Sequence, residues 1–209
     1  MKLAVIGANG KSGQLIVDKA LENGIEVTAI TRNDNHSNAT HVLKKDLFSL
    51  TADDVKDFDV VVDAFGVWEP DKMFEHKTSI EHLIEILSGL DTRLYVVGGA
   101  GSLYVDKSKT QQLKDTPDFP EEFKLLVNSM SAGLDVLRKA NDVHWVYVSP
   151  AADFQADGEE SGNYAVAGEI LTTNANGESY ISYKDYANAL IKEILHPTVD
   201  KARISVYTK

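Results

Sequence analysis

The stretch "KLAVIGANGKSGQLI" (residues 2–16) constrains this chain more than any other. An apolar run ends in a glycine, two more glycines follow at intervals of three, and helical periodicity then runs through Leu15, Ile16, Lys19 and Leu21 to Asn23-Gly24. Gly10-Lys11-Ser12 alone would suit the end of a nucleoside-triphosphate loop. That G-x-x-x-x-G-K spacing would place its first glycine at Val5, inside the apolar run, and only Ala8 and Asn9 separate Gly7 from Gly10. The triphosphate loop fails on geometry. A strand–turn–helix phosphate site of the G-x-x-G-x-x-G type fits instead. Gly7 allows the tight turn, Gly10 lets a pyrophosphate approach the backbone, and Gly13 lets the helix pack close.

At 209 residues, one domain spanning 1–209 is expected, with 151–209 forming a C-terminal extension of it. The net charge of −11 opposes nucleic acid and anionic membranes, so a phosphate site must be built locally from amides and a few cations. There are no cysteines, hence no thiolate nucleophile and no cysteine metal site. The N-terminus lacks the charged, apolar and cleavage regions of a signal peptide, and no run is long enough to cross a bilayer. A cytoplasmic protein, monomer or homodimer, is the expectation.

Strand and helix patterns alternate along the chain. "GIEVTAITR", "HVLKKDLFS", "DVVVDAFG", "TRLYVVGGAG" and "VHWVYVSP" read as strands two to six. Helices are predicted at "TADDVKDF", with Thr51 as N-cap, at 72–89 and at 120–140. This order specifies an α/β chain: a Rossmann-like doubly wound parallel sheet with helices on both faces and a small substrate-side extension at the C-terminus. Past Pro150 the pattern predicts short strands around an Asn176-Gly177 turn, a helix at "YKDYANALIKEIL" and a last strand at "ARISVYT".

Ligands of open α/β sheets lie along the carboxyl ends of the strands. An NAD-selective fold carries Asp or Glu at the end of strand two, to accept from the ribose hydroxyls. Here Arg32 stands there, with a guanidinium fork suited to a 2′-phosphate, so NADP(H) is expected over NAD(H). Asn9 lies within the glycine turn, and Lys11 and Ser12 at the helix start add a cation and a hydroxyl. Asp46-Leu47 and Ala64-Phe65-Gly66 occupy the next two strand ends. Asp46 is placed to accept from an adenine amino group, and Gly66 to admit the cofactor ribose.

"AVIGANGKSG", Arg32, "VVGGAGSLYVD" and "VSPAADFQADGEESGNYAVAGEILTTNANGESYISYKDYANAL" together resemble the atypical short-chain dehydrogenase/reductase group of NADH-flavin reductases, biliverdin IX beta (flavin) reductase and NmrA-like proteins. The last two segments are most similar to the NADH-flavin reductases. The resemblance implies an NADP-type cofactor on the glycine turn and Arg32, with a flavin (FMN or FAD) or another flat conjugated acceptor as substrate. It also implies Ser102 as an orienting hydroxyl, because a serine or threonine lies in this region of the biliverdin-reducing relatives.

The Tyr-x-x-x-Lys pair of ordinary short-chain dehydrogenases, in which lysine lowers the tyrosine pKa, is missing after strand five. Its one match, Tyr180 with Lys184, falls after strand six, in the wrong topological place. Reducing a flavin needs face-to-face geometry more than a strong acid. The connection 99–120 has no periodicity and reads as a lid or a disordered loop. Trp68, Tyr104 and Phe154, near strand ends, suggest an aromatic wall for a planar ligand. No metal-ligand spacing and no Gly-x-Ser-x-Gly occur. Two other readings stay open: a dinucleotide-binding redox sensor without turnover, and a sugar-nucleotide epimerase or dehydratase.

Overall fold

The computed structural model describes residues 1–209. Strand β1 (Lys2–Ile6) is buried except at Lys2 and feeds the glycine turn, from which helix α1 (Lys11–Glu22) starts. β2 (Glu26–Thr31) lies parallel to β1, and β3 (His41–Lys44) parallel to β2 at the sheet edge. α2 (Ala52–Val55) is a single turn started by a capping box: the Thr51 side chain takes the amide of Asp54, whose carboxylate accepts the Thr51 amide at 2.7 Å.

β4 (Val60–Asp63), α3 (Glu75–Leu87), β5 (Arg93–Val97), α4 (Lys124–Leu137) and β6 (His144–Ser149) complete the alternation. The main sheet runs β3-β2-β1-β4-β5-β6-β10-β8, where β8 is Tyr164–Ala167 and β10 is Ala202–Thr208. All its pairings are parallel except β10 with β8. One face buries Ile16, Val17 and Ala20 of α1 with Tyr186, Leu190 and Ile194 of α5 (Tyr183–Leu195). The other buries Leu83 and Leu87 of α3 with Leu134 and Leu137 of α4. The sheet is covered on both sides, which is why its central strands read as continuous apolar runs.

Two expectations for the later chain are corrected. Asn176-Gly177 joins no pair of strands. β9 (Tyr180–Ser182) pairs in parallel with β7 (Asp153–Gln155), while β8 adds to the edge of the main sheet. The loop closes on itself, because Asn174 Oδ1 accepts the amides of Asn176 and Glu178 at 2.9 and 3.0 Å. The connection 99–120 is tied down rather than free. The Tyr104 amide donates to the Glu169 carbonyl, the Leu171 amide donates back to Tyr104, and Asp106 accepts the amides of Thr110 and Gln111. No helix of the protein is long and apolar enough to cross a membrane.

Candidate functional site

Because β1 to β6 run parallel, the residues after each of them collect along one edge, and the strand order reverses between β1 and β4. Gly7 sits at that reversal with φ +72°. A Cβ there would lie 2.6 Å from the Ala64 carbonyl oxygen, so the turn presses directly on the segment after β4. A Cβ on Gly13 would lie 2.3 Å from the Gly7 oxygen, so the first turn of α1 rests on the glycine turn itself. Gly10 differs: it has ordinary extended backbone (φ −71°, ψ 161°), and a Cβ there would meet only the Gly7 oxygen, at 3.3 Å.

α1 starts with no side-chain cap and no acid in its first turn, so its leading amides are open to an anion. Lys11 is exposed and Ser12 half-buried beside these amides. Asn9, one residue before the N-cap Gly10, has its side chain engaged elsewhere. Its Nδ2 donates to the Asp34 carbonyl at 2.8 Å and its Oδ1 accepts the His36 amide at 2.7 Å. The glycine turn is thereby tied to the loop that carries Arg32. An open amide nest pressed against a strand end fits the pyrophosphate of a dinucleotide.

Arg32 is exposed, and its Nε stands 3.9 Å from Asp46 Oδ2, the far limit of an ion pair. Asp46 also accepts the Phe48 amide at 2.9 Å and starts a short 3-10 turn, in which Leu47 is buried. The neighbouring lysines are more tightly neutralised: Lys44 by Asp34 at 2.7 Å and Lys45 by Asp54 at 2.6 Å. Arg32 faces a cleft of about 280 Å³ whose walls include Phe65, Gly66 and Trp68. Ala64 is buried behind it, and the Phe65 ring is held edge-on by Phe48 and His76.

Of the three aromatics, only Trp68 lines the Arg32 cleft, and it is 68% exposed. Phe154 follows β6 and stacks on Tyr183 and Tyr186, with ring centres 4.0 and 4.9 Å away. Four strand spacings, roughly 19 Å, separate the end of β2 from the end of β6. Tyr104 is engaged through its backbone with Gln112 and Ile170. Ser102 is buried at 4% exposure, and its Oγ accepts from Arg203 Nη1 at 2.8 Å. Arg203 also pairs with Glu169, which Arg138, the C-cap of α4, contacts at 2.9 Å. Tyr180 and Lys184 form no pair, since Lys184 faces Glu159 at 3.6 Å.

Sequence reasoning passed over Asp63. The carboxyl is 4% exposed at the end of β4, Oδ1 accepts the Phe65 amide at 3.0 Å, and burial raises its pKa to about 7. It borders a cavity of about 20 Å³, room for one water, shared with His76, Ser79, Met130 and Tyr147. Burial lowers the His76 pKa, and its Nε2 meets the Val67 carbonyl at 2.9 Å. Burial holds the Tyr147 phenol up at about 12. The signal was present: an acid closing the run Val60–Val62 has few reasons to be there.

A parallel sheet with an open amide nest at its reversal point and a cleft of about 280 Å³ beside it defines a dinucleotide-binding α/β protein. The family model described as NAD(P)H-binding matches residues 7–197, and the chain belongs to that family. The crystal structure of SP1627, a putative NADH-flavin reductase from Streptococcus pneumoniae TIGR4, is 54% identical over all of both chains, with a TM-score of 0.98. YwnB of Bacillus subtilis (strain 168), itself uncharacterized, is 42% identical across 100% of this chain and 99% of its own. A putative epimerase from Bacteroides thetaiotaomicron is 31% identical, with a TM-score of 0.85, covering 99% of this chain and 96% of its own.

Proposed function

We propose that the protein is an NADPH-dependent reductase whose acceptor is a flavin or a similar planar conjugated molecule, the hydride passing directly between the two bound partners. The observation that carries this is the full-length likeness, at 54% identity, to a protein named a putative NADH-flavin reductase; the choice of NADPH over NADH rests on Arg32 just beyond β2. A bound nicotinamide supplies the hydride. The chain's part is to bind and orient. The α1 amides and the glycine turn hold the pyrophosphate, Asn9 sets the spacing to the Arg32 loop, and Arg32 takes the 2′-phosphate. Helix α4 carries no tyrosine, which disfavours epimerase or dehydratase chemistry despite the name of the Bacteroides neighbour.

The test is NADPH oxidation with FMN, FAD, riboflavin and a quinone in turn. Single-turnover reduction should show a primary isotope effect with deuterium on the transferring face of the nicotinamide. Tight NADPH binding with no reduction of any acceptor would replace this reading with a redox sensor.

A further inference from the structure

Trp68 is the most exposed large apolar side chain of the fold, and it stands at the mouth of the cleft that Arg32 faces. It follows Gly66, around which no atom lies within 4 Å of a Cβ position, and precedes the short 3-10 turn Pro70–Lys72. A single exposed indole is ordinary on a protein surface; what sets this one apart is the cleft it shares with Arg32, Phe65 and Lys72.

The same cleft holds two cations without close partners. Arg32 has only Asp46 at 3.9 Å, and Lys72 makes no direct ion pair. Two carboxylates are present as well. Glu69 is turned back on its own strap, accepting the Trp68 amide at 3.3 Å, and Glu75 stands in the first turn of α3. At about 280 Å³ the cleft sits at the lower end of the range for whole-ligand pockets, suited to one end of a dinucleotide. That end is fixed by the glycine turn, which touches Ala64 and Phe65 immediately before the strap.

We propose that Gly66–Lys72 is an adenosine strap: Trp68 stacks on the adenine, and Lys72 joins Arg32 on the 2′-phosphate. The strap would make cofactor choice a joint property of two strand ends. This inference rests on the NADPH reading above, and it assigns Trp68 to the cofactor rather than to the acceptor.

The chain's other tryptophan, Trp145, is 3% exposed, so exposed-indole fluorescence reports Trp68. Titrating the full chain with 2′,5′-ADP, which lacks a nicotinamide, should quench this emission and protect it from iodide. Trp68→Ala should weaken 2′,5′-ADP binding by about tenfold, the expectation for one lost base–aromatic stack. Lys72→Ala should weaken 2′,5′-ADP but leave 5′-ADP unchanged. If 2′,5′-ADP binds while iodide access and the Trp68→Ala affinity stay unaltered, the strap is refuted and the NADPH reading survives. If neither 2′,5′-ADP nor NADPH binds, both fall.

Discussion

Arg203 donates to the hydroxyl of Ser102 at 2.8 Å across 101 residues of sequence, and both side chains are buried. The bond ties β10 to the loop after β5, with Glu169 and Arg138 extending it to α4. Ser102 is therefore an anchor of that loop as the fold presents it, with one of its two lone pairs engaged and its own O–H proton uncommitted. Arg203 Nε has no partner at all, so this charge depends heavily on the contacts it keeps.

Ser102→Ala should for that reason cost stability. Removing an acceptor from a buried guanidinium is expected to cost about 2 kcal/mol, a Tm decrease of roughly 4–8 °C for a chain of this size. Thermal unfolding by circular dichroism checks it. An unchanged Tm would mean that Arg203 finds another acceptor.

Cofactor preference should reside in Arg32. The unmutated protein should bind NADPH more tightly than NADH, and Arg32→Ala should erase the difference. A charge-assisted contact to phosphate is on the order of 1.5–3 kcal/mol, so the ratio should fall by about tenfold or more. Calorimetric titration with both nucleotides decides; equal affinities before mutation would remove the basis for assigning Arg32.

Gly10 and Gly7 should part company on substitution. Gly10→Val leaves backbone at φ −71° that any residue adopts, so Tm should stay near that of the unmutated protein while NADPH binding is lost. Gly7→Ala meets the Ala64 oxygen at 2.6 Å and requires positive φ, so it should damage folding itself. Binding by a folded Gly10→Val variant would contradict the pyrophosphate site.

Asp63 makes stability depend on pH. Its folded pKa of about 7 lies above the ordinary 3.8, so the folded state holds the proton more tightly than the unfolded one. The contribution is complete below about pH 4, declines as pH climbs towards about 7, and is level above that. The gap of about three pH units corresponds to a loss on the order of 4 kcal/mol at its limit. Asp63→Asn keeps an acceptor for the Phe65 amide but has no proton to lose. Its Tm advantage should be small at pH 4.5 and large at pH 8; a constant difference across that range would argue against a neutral Asp63.

What could be read along the chain was what a few neighbouring residues settle among themselves. The β1–glycine turn–α1 unit, the Thr51 cap and the apolar central strands follow from backbone dihedrals and periodicities that repeat within a few residues. From these, the parallel sheet and the edge carrying Gly7, Arg32 and Ala64–Gly66 were legible. Other features belong to strand order and packing. β7 pairs with β9 rather than β8 with β9, and Ser102 meets Arg203 only because β10 inserts beside β6. Trp68 stands with Arg32 rather than with Phe154 because a strap after β4 turns towards β2. The Asp63 carboxyl pKa is pushed up to about 7 because α3, α4 and β6 bury it. Such contacts join residues tens of positions apart, and a carboxyl's solvation or an indole's neighbour is a property of the assembled surroundings, which no local pattern encodes.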